Sequence, residues 1–160
     1  MLKKIISGGQ TGADRGGLRA GRELGLKTGG WAPKGWKTEK GTAPWLETKY
    51  DMQECQKDGY PARTALNIKE SDGTVIFGSI EPQHTGSRLT WNRCGKLHKP
   101  CCHFDVIKGS VHMVQAPKFF LDWIKQNKIK VLNVAGNRES TNPKITDAVK
   151  DFLVRTLKEC

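Results

Sequence analysis

At 160 residues the chain suits a single domain, residues 1–160, large enough to bury about two-thirds of its unfolded surface without a disulfide staple. Its formal net charge of +11 favours anionic ligands, but the 27 basic residues are dispersed with no run of five or six, so nucleic acid is not the expected partner. The five cysteines (Cys55, Cys94, Cys101, Cys102 and Cys160) are odd in number and lack C-x-x-C spacing, the N-terminal run is too short for a signal peptide, and no apolar run could span a membrane; a cytoplasmic protein is expected.

The stretch Ser7-Gly8-Gly9-Gln10-Thr11-Gly12-Ala13-Asp14 follows the apolar pair Ile5-Ile6 and precedes a helix-like run. It reads as a first strand, a glycine turn and a helix N-terminus, whose unpaired N–H groups and partial positive charge suit a phosphate or another oxyanion. Gly8, Gly9, Gln10, Thr11, Gly12 and Asp14 are therefore candidate ligand contacts. The alternative is a structural connection in which Thr11 and Asp14 form a capping-box-like pair. The stretch lacks the Gly-Lys-Ser/Thr ending of a nucleoside-triphosphatase loop, and only Ser7, Gly9 and Gly12 fall on the dinucleotide spacing.

Ala13, Gly17 and Gly21 then form a small-residue stripe suited to close packing on a sheet, with Gly25 as the stop. A short strand is expected at residues 27–31. Residues 33–59 show no sustained period; Trp31, Trp36 and Trp45 with Lys34, Lys37 and Lys40 make this segment either a lid or a loop anchored by its tryptophans. Pro61 opens a helix with Ala62, Ala65 and Leu66 on its apolar face, and Ser71-Asp72-Gly73 turns it into a buried parallel strand at 74–77. Thr85, Gly86 and Ser87 open a weakly amphipathic helix, followed by a strand near 101–106. The next helix has Ala116, Phe119, Phe120, Trp123 and Ile124 on one face. A last strand at 131–134 leads through residues 136–140 to a final helix with Asn142 as N-cap, Pro143 at N1 and an apolar stripe from Ile145 to Leu153.

This alternation specifies an α/β fold: one Rossmann-like or flavodoxin-like domain with a mainly parallel five-stranded sheet and helices on both faces. Ligands in such folds bind beyond the carboxyl ends of the strands, the edge shared by residues 8–14, 31–36, 78–87 and 136–140. Trp31, Lys34, Thr85, Gly86, Ser87, Gly136 and Arg138 join the candidates on that ground. The helix opening at Pro61 runs back toward the next strand, which puts Arg63 and Thr64 at the same edge. Arg63 either holds a phosphate or pairs with a loop acid such as Glu47 or Asp51. Asp72 belongs to the opposite edge, where a turn role is expected. Alternation points Cys101 and Cys102 to opposite faces, so no directly coordinated metal is expected among His98, Cys101, Cys102 and His103.

With SGGQTGADRGGL at 7–18, GGWAPKG at 29–35, ARTALN and SDGTVIF within 62–77, and LNVAGNRES at 132–140, the chain resembles the molybdenum carrier family, a circularly permuted branch of the lonely-guy/DprA Rossmann-like superfamily. The resemblance spans nearly the whole chain. It implies a carrier that binds the molybdenum cofactor (molybdopterin), a phosphorylated pterin, or more broadly a nucleotide; a small-molecule phosphorylated ligand and a homo-oligomer are the expected partners. The superfamily also holds phosphoribohydrolases and single-strand DNA binders, so a nucleotide-processing enzyme and a nucleic-acid-binding module stand as alternatives. Those hydrolases carry P-G-G-x-G-T-x-x-E, whereas this chain has no acid between Glu81 and Asp105, and glycosidic cleavage normally needs a carboxylate. Asp14, equally a helix cap, and Glu139, equally a solvated loop charge, are the remaining acids at the ligand edge. No catalytic residue is assigned.

Overall fold

Five short runs form the central sheet: β1 (Lys4–Ser7), β2 (Lys27–Gly29), β3 (Gly73–Phe77), β4 (Cys101–Phe104) and β5 (Val131–Gly136). All pair in parallel, in the order β2-β1-β5-β3-β4, with Ile5 opposite Leu132 and Val75 opposite Val134. The described residues form six helices, five between strands and one after the last: α1 (Ala13–Glu23), α2 (Trp45–Tyr50), α3 (Tyr60–Glu70), α4 (Thr85–Lys96), α5 (Ala116–Gln126) and α6 (Ile145–Lys158). The computed structural model describes residues 1–111 and 115–158; Cys160 lies outside them. The architecture is the expected Rossmann-like one, and no helix of the described residues is long and apolar enough to cross a membrane.

Side chains alternate between the two faces of each strand. Ile5, Val75, Phe77, Phe104, Leu132 and Val134 share one core with α1, α5 and α6, filled by Phe120, Val149 and Leu153. The opposite face lies under α3 and α4. Alternation gives it Ile6, Ile76 and two polar residues, Asn133 and Thr74, which satisfy each other through a 3.2 Å hydrogen bond. The small stripe of α1 serves two neighbours: Gly17 presses on Val134 and Gly21 on Thr28, while Gly16 faces Thr146 and Val149 of α6.

Four elements depart from the sequence reading. The strand expected at 27–31 ends at Gly29, and Trp31–Ala32 pairs with Gln53–Glu54 in a separate ribbon. On α3 the buried residues are Thr64, Asn67 and Ile68, while Ala62, Ala65 and Leu66 are only half-buried. Asn67 decides the rotation, because its side chain both accepts from the Trp31 N–H (2.9 Å) and donates to the Trp31 carbonyl (3.0 Å). The strand near 101–106 stops at Phe104, and Val106–Ile107 turns into a hairpin with Ser110–Val111. Finally, α6 begins at Ile145 rather than behind an Asn142 cap: Lys144 takes φ 69°, and Asn142 donates instead to the Val106 carbonyl at 2.9 Å.

The segment 33–59 is built rather than loose. It holds a 3-10 turn (Lys34–Trp36), a hairpin of Lys37–Thr38 with Gly41–Thr42, and α2. Ala43, Leu46, Tyr50 and Met52 pack with Leu18 and Ala32 in a second small core, and Trp36 leans on it. Trp45 lies under the Arg15 guanidinium, 5.0 Å from the ring centre. At the opposite edge Asp72 has the expected turn role, accepting the N–H groups of Lys130 (2.9 Å) and Val131 (2.8 Å).

A methyl group at Gly17 would stand 2.6 Å from Val134, whereas nothing lies within 4 Å of one at Gly95, in the last turn of α4. Gly17→Ala should therefore destabilise the domain by about 1–3 kcal/mol through overpacking. Gly95→Ala should stabilise it by about 0.5 kcal/mol through the unfolded chain. Urea unfolding of both variants checks the pair; equal effects would contradict the packing.

Candidate functional site

The exits of β1, β3 and β5 and the start of α3 enclose a cleft of about 450 Å³, within the usual range for small-molecule sites. Gln10, Asp14, Arg63 and Thr64 line one wall. Thr85, Gly86 and Ser87 form another, and Gly136 and Arg138 close the third. These nine expected site residues therefore meet as the chain direction requires. Trp31 and Lys34 are not among the lining residues: the Trp31 backbone is held by Asn67, and Lys34 faces Asp58 at 3.6 Å. Gly8, Gly9, Thr11 and Gly12 lie behind the wall, in the turn itself.

The donors of that turn are largely spent within the chain. Gly9 donates to Ser7 Oγ (3.2 Å), Gln10 to Asp14 Oδ2 (3.2 Å), Thr11 to Gln10 Oε1 (3.0 Å) and Ala13 to the Asn137 carbonyl (3.1 Å). The capping-box pairing of Thr11 with Asp14 is not formed. Gly12 is the N-cap, without a side-chain cap, and the Thr11 hydroxyl donates to Glu39 instead. Gly12 is required here, since its φ is +83° and a Cβ would lie 2.2 Å from the Asn137 carbonyl oxygen.

Asp14 is 4 % exposed and pairs with Arg63 at 3.2 Å, so Arg63 meets neither Glu47 nor Asp51. Burial pushes the Asp14 carboxyl above its ordinary value, against the pull of Arg63 and of the Gln10 and Gly8 N–H groups. The pair explains Gly8: any Cβ there would fall 1.3 Å from Arg63 Nη1. Two residues that line the cleft, Gln10 and Arg63, each carry a buried donor, Nε2 and Nε, that has no hydrogen-bond partner. The Gln10 amide is oriented by its oxygen, which accepts the N–H groups of Thr11 and Glu39, both at 3.0 Å.

The N-termini of α1, α3 and α4 all open here, none with a side-chain cap, but they are not equivalent. Asp14 sits in the first turn of α1, and Pro61 removes an N–H from α3. The first turn of α4 contains no acid. It therefore keeps its N–H groups and the positive end of the helix dipole.

Three contributors were not legible as such in the sequence. Asn137 ties two exits together, accepting the Ser79 N–H (2.7 Å) and donating to the Ser79 carbonyl (2.9 Å) and to Ser87 Oγ (3.0 Å). Tyr60 stands at the rim with the Arg63 guanidinium 5.6 Å and the Arg138 guanidinium 5.3 Å from its ring centre. Glu39 arrives from the hairpin. Only Asn137's place in LNVAGNRES hinted at a role. Glu139 proves to be the cap of α6, accepting from the Lys144 N–H (2.5 Å) and from the Thr146 N–H (3.0 Å) and hydroxyl (2.6 Å). Among the described residues no group of three or more His, Cys, Asp or Glu side chains could hold a metal ion.

The model of the circularly permutated YpsA SLOG family matches residues 5–157. The chain belongs to that family. A crystal structure of the "Putative molybdenum carrier protein" from Syntrophus aciditrophicus SB is 39% identical, with a TM-score of 0.85, over 98% of this chain and 95% of that one. No curated protein matches.

Breaking the buried pair tests its geometry. Asp14's folded pKa lies above its unfolded value of 3.8, so its contribution to stability is present below 3.8 and is lost as pH rises through the folded value. Removing Arg63 lifts that folded value further. Arg63→Ala should therefore cost about 3 kcal/mol near neutral pH and clearly less in acid. Denaturant unfolding across that range is the measurement, and a loss independent of pH would contradict the pairing.

Proposed function

We propose that the chain is a carrier that binds a phosphorylated small molecule, a pterin or a nucleotide, with its phosphate against the N-terminus of α4. The observation that carries this reading is the uncapped, acid-lacking first turn at Thr85–Ser87, which lines one cleft together with Gln10 and Arg63, each of which holds an unpartnered N–H donor. Helix ends and guanidinium groups are the usual phosphate donors of proteins. Tyr60 and the Arg63 and Arg138 guanidinium groups over its ring give the rim planar groups against which a heterocycle would pack.

The name of the Syntrophus protein supports a molybdenum-related ligand, the molybdenum cofactor above all. The residues present fit the organic part of such a ligand better than a bare metal ion, because the cleft offers hydrogen-bond donors and one already paired carboxylate. The cofactor would bring its metal on its own ligands, and Gln10, Arg63 and the α4 turn would hold its phosphate. Mass spectrometry and metal analysis of the co-purifying ligand would identify it.

Gln10→Glu is the sharpest test. It keeps the oxygen that accepts from Thr11 and Glu39 but replaces the unpartnered donor with an acceptor. Losing a hydrogen bond to a charged group costs about 1.5–3 kcal/mol, so affinity for a phosphorylated ligand should fall roughly 10- to 150-fold. Calorimetry with a pterin phosphate and a nucleoside monophosphate, each beside its dephosphorylated form, should show that loss for the phosphorylated forms alone. Unchanged affinities would remove Gln10 and this phosphate position from the reading.

A nucleotide-processing activity is the second reading. Asp14 favours it, as a carboxyl lining the cleft with its pKa pushed upward by burial. Release of ribose 5-phosphate from nucleoside monophosphates, abolished in Asp14→Asn, would replace the carrier by an enzyme.

A further inference from the structure

The hairpin of Lys37–Thr38 and Gly41–Thr42 reaches the glycine turn through one residue, Glu39. Its carboxylate accepts the Thr11 hydroxyl, the Ser140 hydroxyl and, at 3.3 Å, the Ser140 N–H. Burial pushes the Glu39 carboxyl up, but the bonds from Ser140 and Thr11 and the nearby Arg138 charge outweigh it and hold it below the ordinary range. Donors from two loops thus converge on a carboxylate delivered by a third. A phosphate oxygen accepts the same donors, with the same charge assistance. The hairpin is anchored at its base by Trp36 and Ala43, but its tip is light: its ladder is two residue pairs, and Lys37, Lys40, Gly41 and Thr42 are exposed.

We propose that Thr11, Ser140 and Arg138 form a second anion subsite, taken by the chain's own Glu39 carboxylate and opened when a ligand anion displaces it. Arg138 lines the cleft as well, so the subsite adjoins the main site. The ligand class that would use both is a small molecule with two anionic groups, such as a bisphosphate or a diphosphate ester; that class rests on the cleft reading above, the subsite does not. Glu39 competes from a short tether, at an effective concentration on the order of millimolar, so a lone dilute anion does not displace it. An anion held nearby by the cleft competes on equal terms. Displacement also releases Gln10, because the Glu39 N–H is one of the two groups that orient its amide.

Counting bound orthophosphate tests this. Wild type should bind one orthophosphate, in the cleft; Glu39→Ala, on an exposed hairpin, should bind a second. Removing the hydroxyls in Glu39→Ala/Thr11→Val/Ser140→Ala should return the count to one. An unchanged count in Glu39→Ala overturns the subsite, and so does a second phosphate that survives in the triple variant. A count of none in wild type and one in Glu39→Ala would keep the subsite and remove the cleft reading instead.

Discussion

The site depends on a carboxylate taken out of water and answered by one guanidinium. Asp14 leaves the first turn of α1 and Arg63 the first turn of α3, and their 3.2 Å contact joins parts of the chain 49 positions apart. A buried pair of this kind adds little net stability, but removing one partner strands the other charge at high cost. Its value is positional: it fixes the distance between the exit of β1 and the start of α3. Gly8 leaves room for the pair, since a side chain there would have to push the Arg63 guanidinium off Asp14. Asn137 repeats the device on the other wall, bonding both the backbone after β3 and Ser87 in α4. Two polar clamps thus set the width of the cleft before any ligand arrives.

Many of the N–H and hydroxyl donors at this edge are answered by the chain's own carboxylates. Asp14 takes the Gly8 and Gln10 N–H groups, Glu39 takes Thr11 and Ser140, and Glu139 takes Lys144 and Thr146. The glycine turn that looks most like a phosphate cradle in the sequence spends the N–H groups of Gly9, Gln10, Thr11 and Ala13 within the chain and holds Gln10 and Asp14 in place. The start of α4 is different because no acid lies between Glu81 and Asp105. The missing carboxylate that argues against glycosidic chemistry is the same feature that leaves this helix end positive.

The fold was legible because buried parallel strands are short continuous apolar runs and α1 carries its packing stripe openly. Chain direction alone then sorted Arg63, Ser87 and Arg138 onto the ligand edge, and Asp72 onto the other. What stayed hidden were the polar partners. Gln10 with Glu39 lies 29 positions apart and Asn137 with Ser79 58 apart, and no local pattern encodes such pairs. The rotation of α3 was hidden for a related reason: apolar spacing pointed to Ala62, Ala65 and Leu66, but two hydrogen bonds from Asn67 outweighed it. Residues 33–59 defeated periodicity because their strands are two residues long and their helix six. Their order comes from packing on Leu18 and Ala32, which only the tertiary structure supplies.

Net charge is a poor guide to what the cleft retains. Several cations sit in exposed pairs, among them Arg19 with Asp147, Lys118 with Asp122 and Lys150 with Glu23, and such pairs contribute under about 1 kcal/mol each. At physiological salt their fields fade within about 8 Å. Selection therefore falls to short-range groups. Gln10 Nε2 and Arg63 Nε are buried without acceptors, a condition that costs roughly 1–3 kcal/mol per donor in a folded protein. A ligand oxygen that reaches them removes a penalty already present, while a ligand without one leaves it in place. On the carrier reading proposed above, discrimination between phosphorylated and unphosphorylated molecules would follow from the polar groups the fold has left unanswered, and the basic surface would serve mainly to bring anions near.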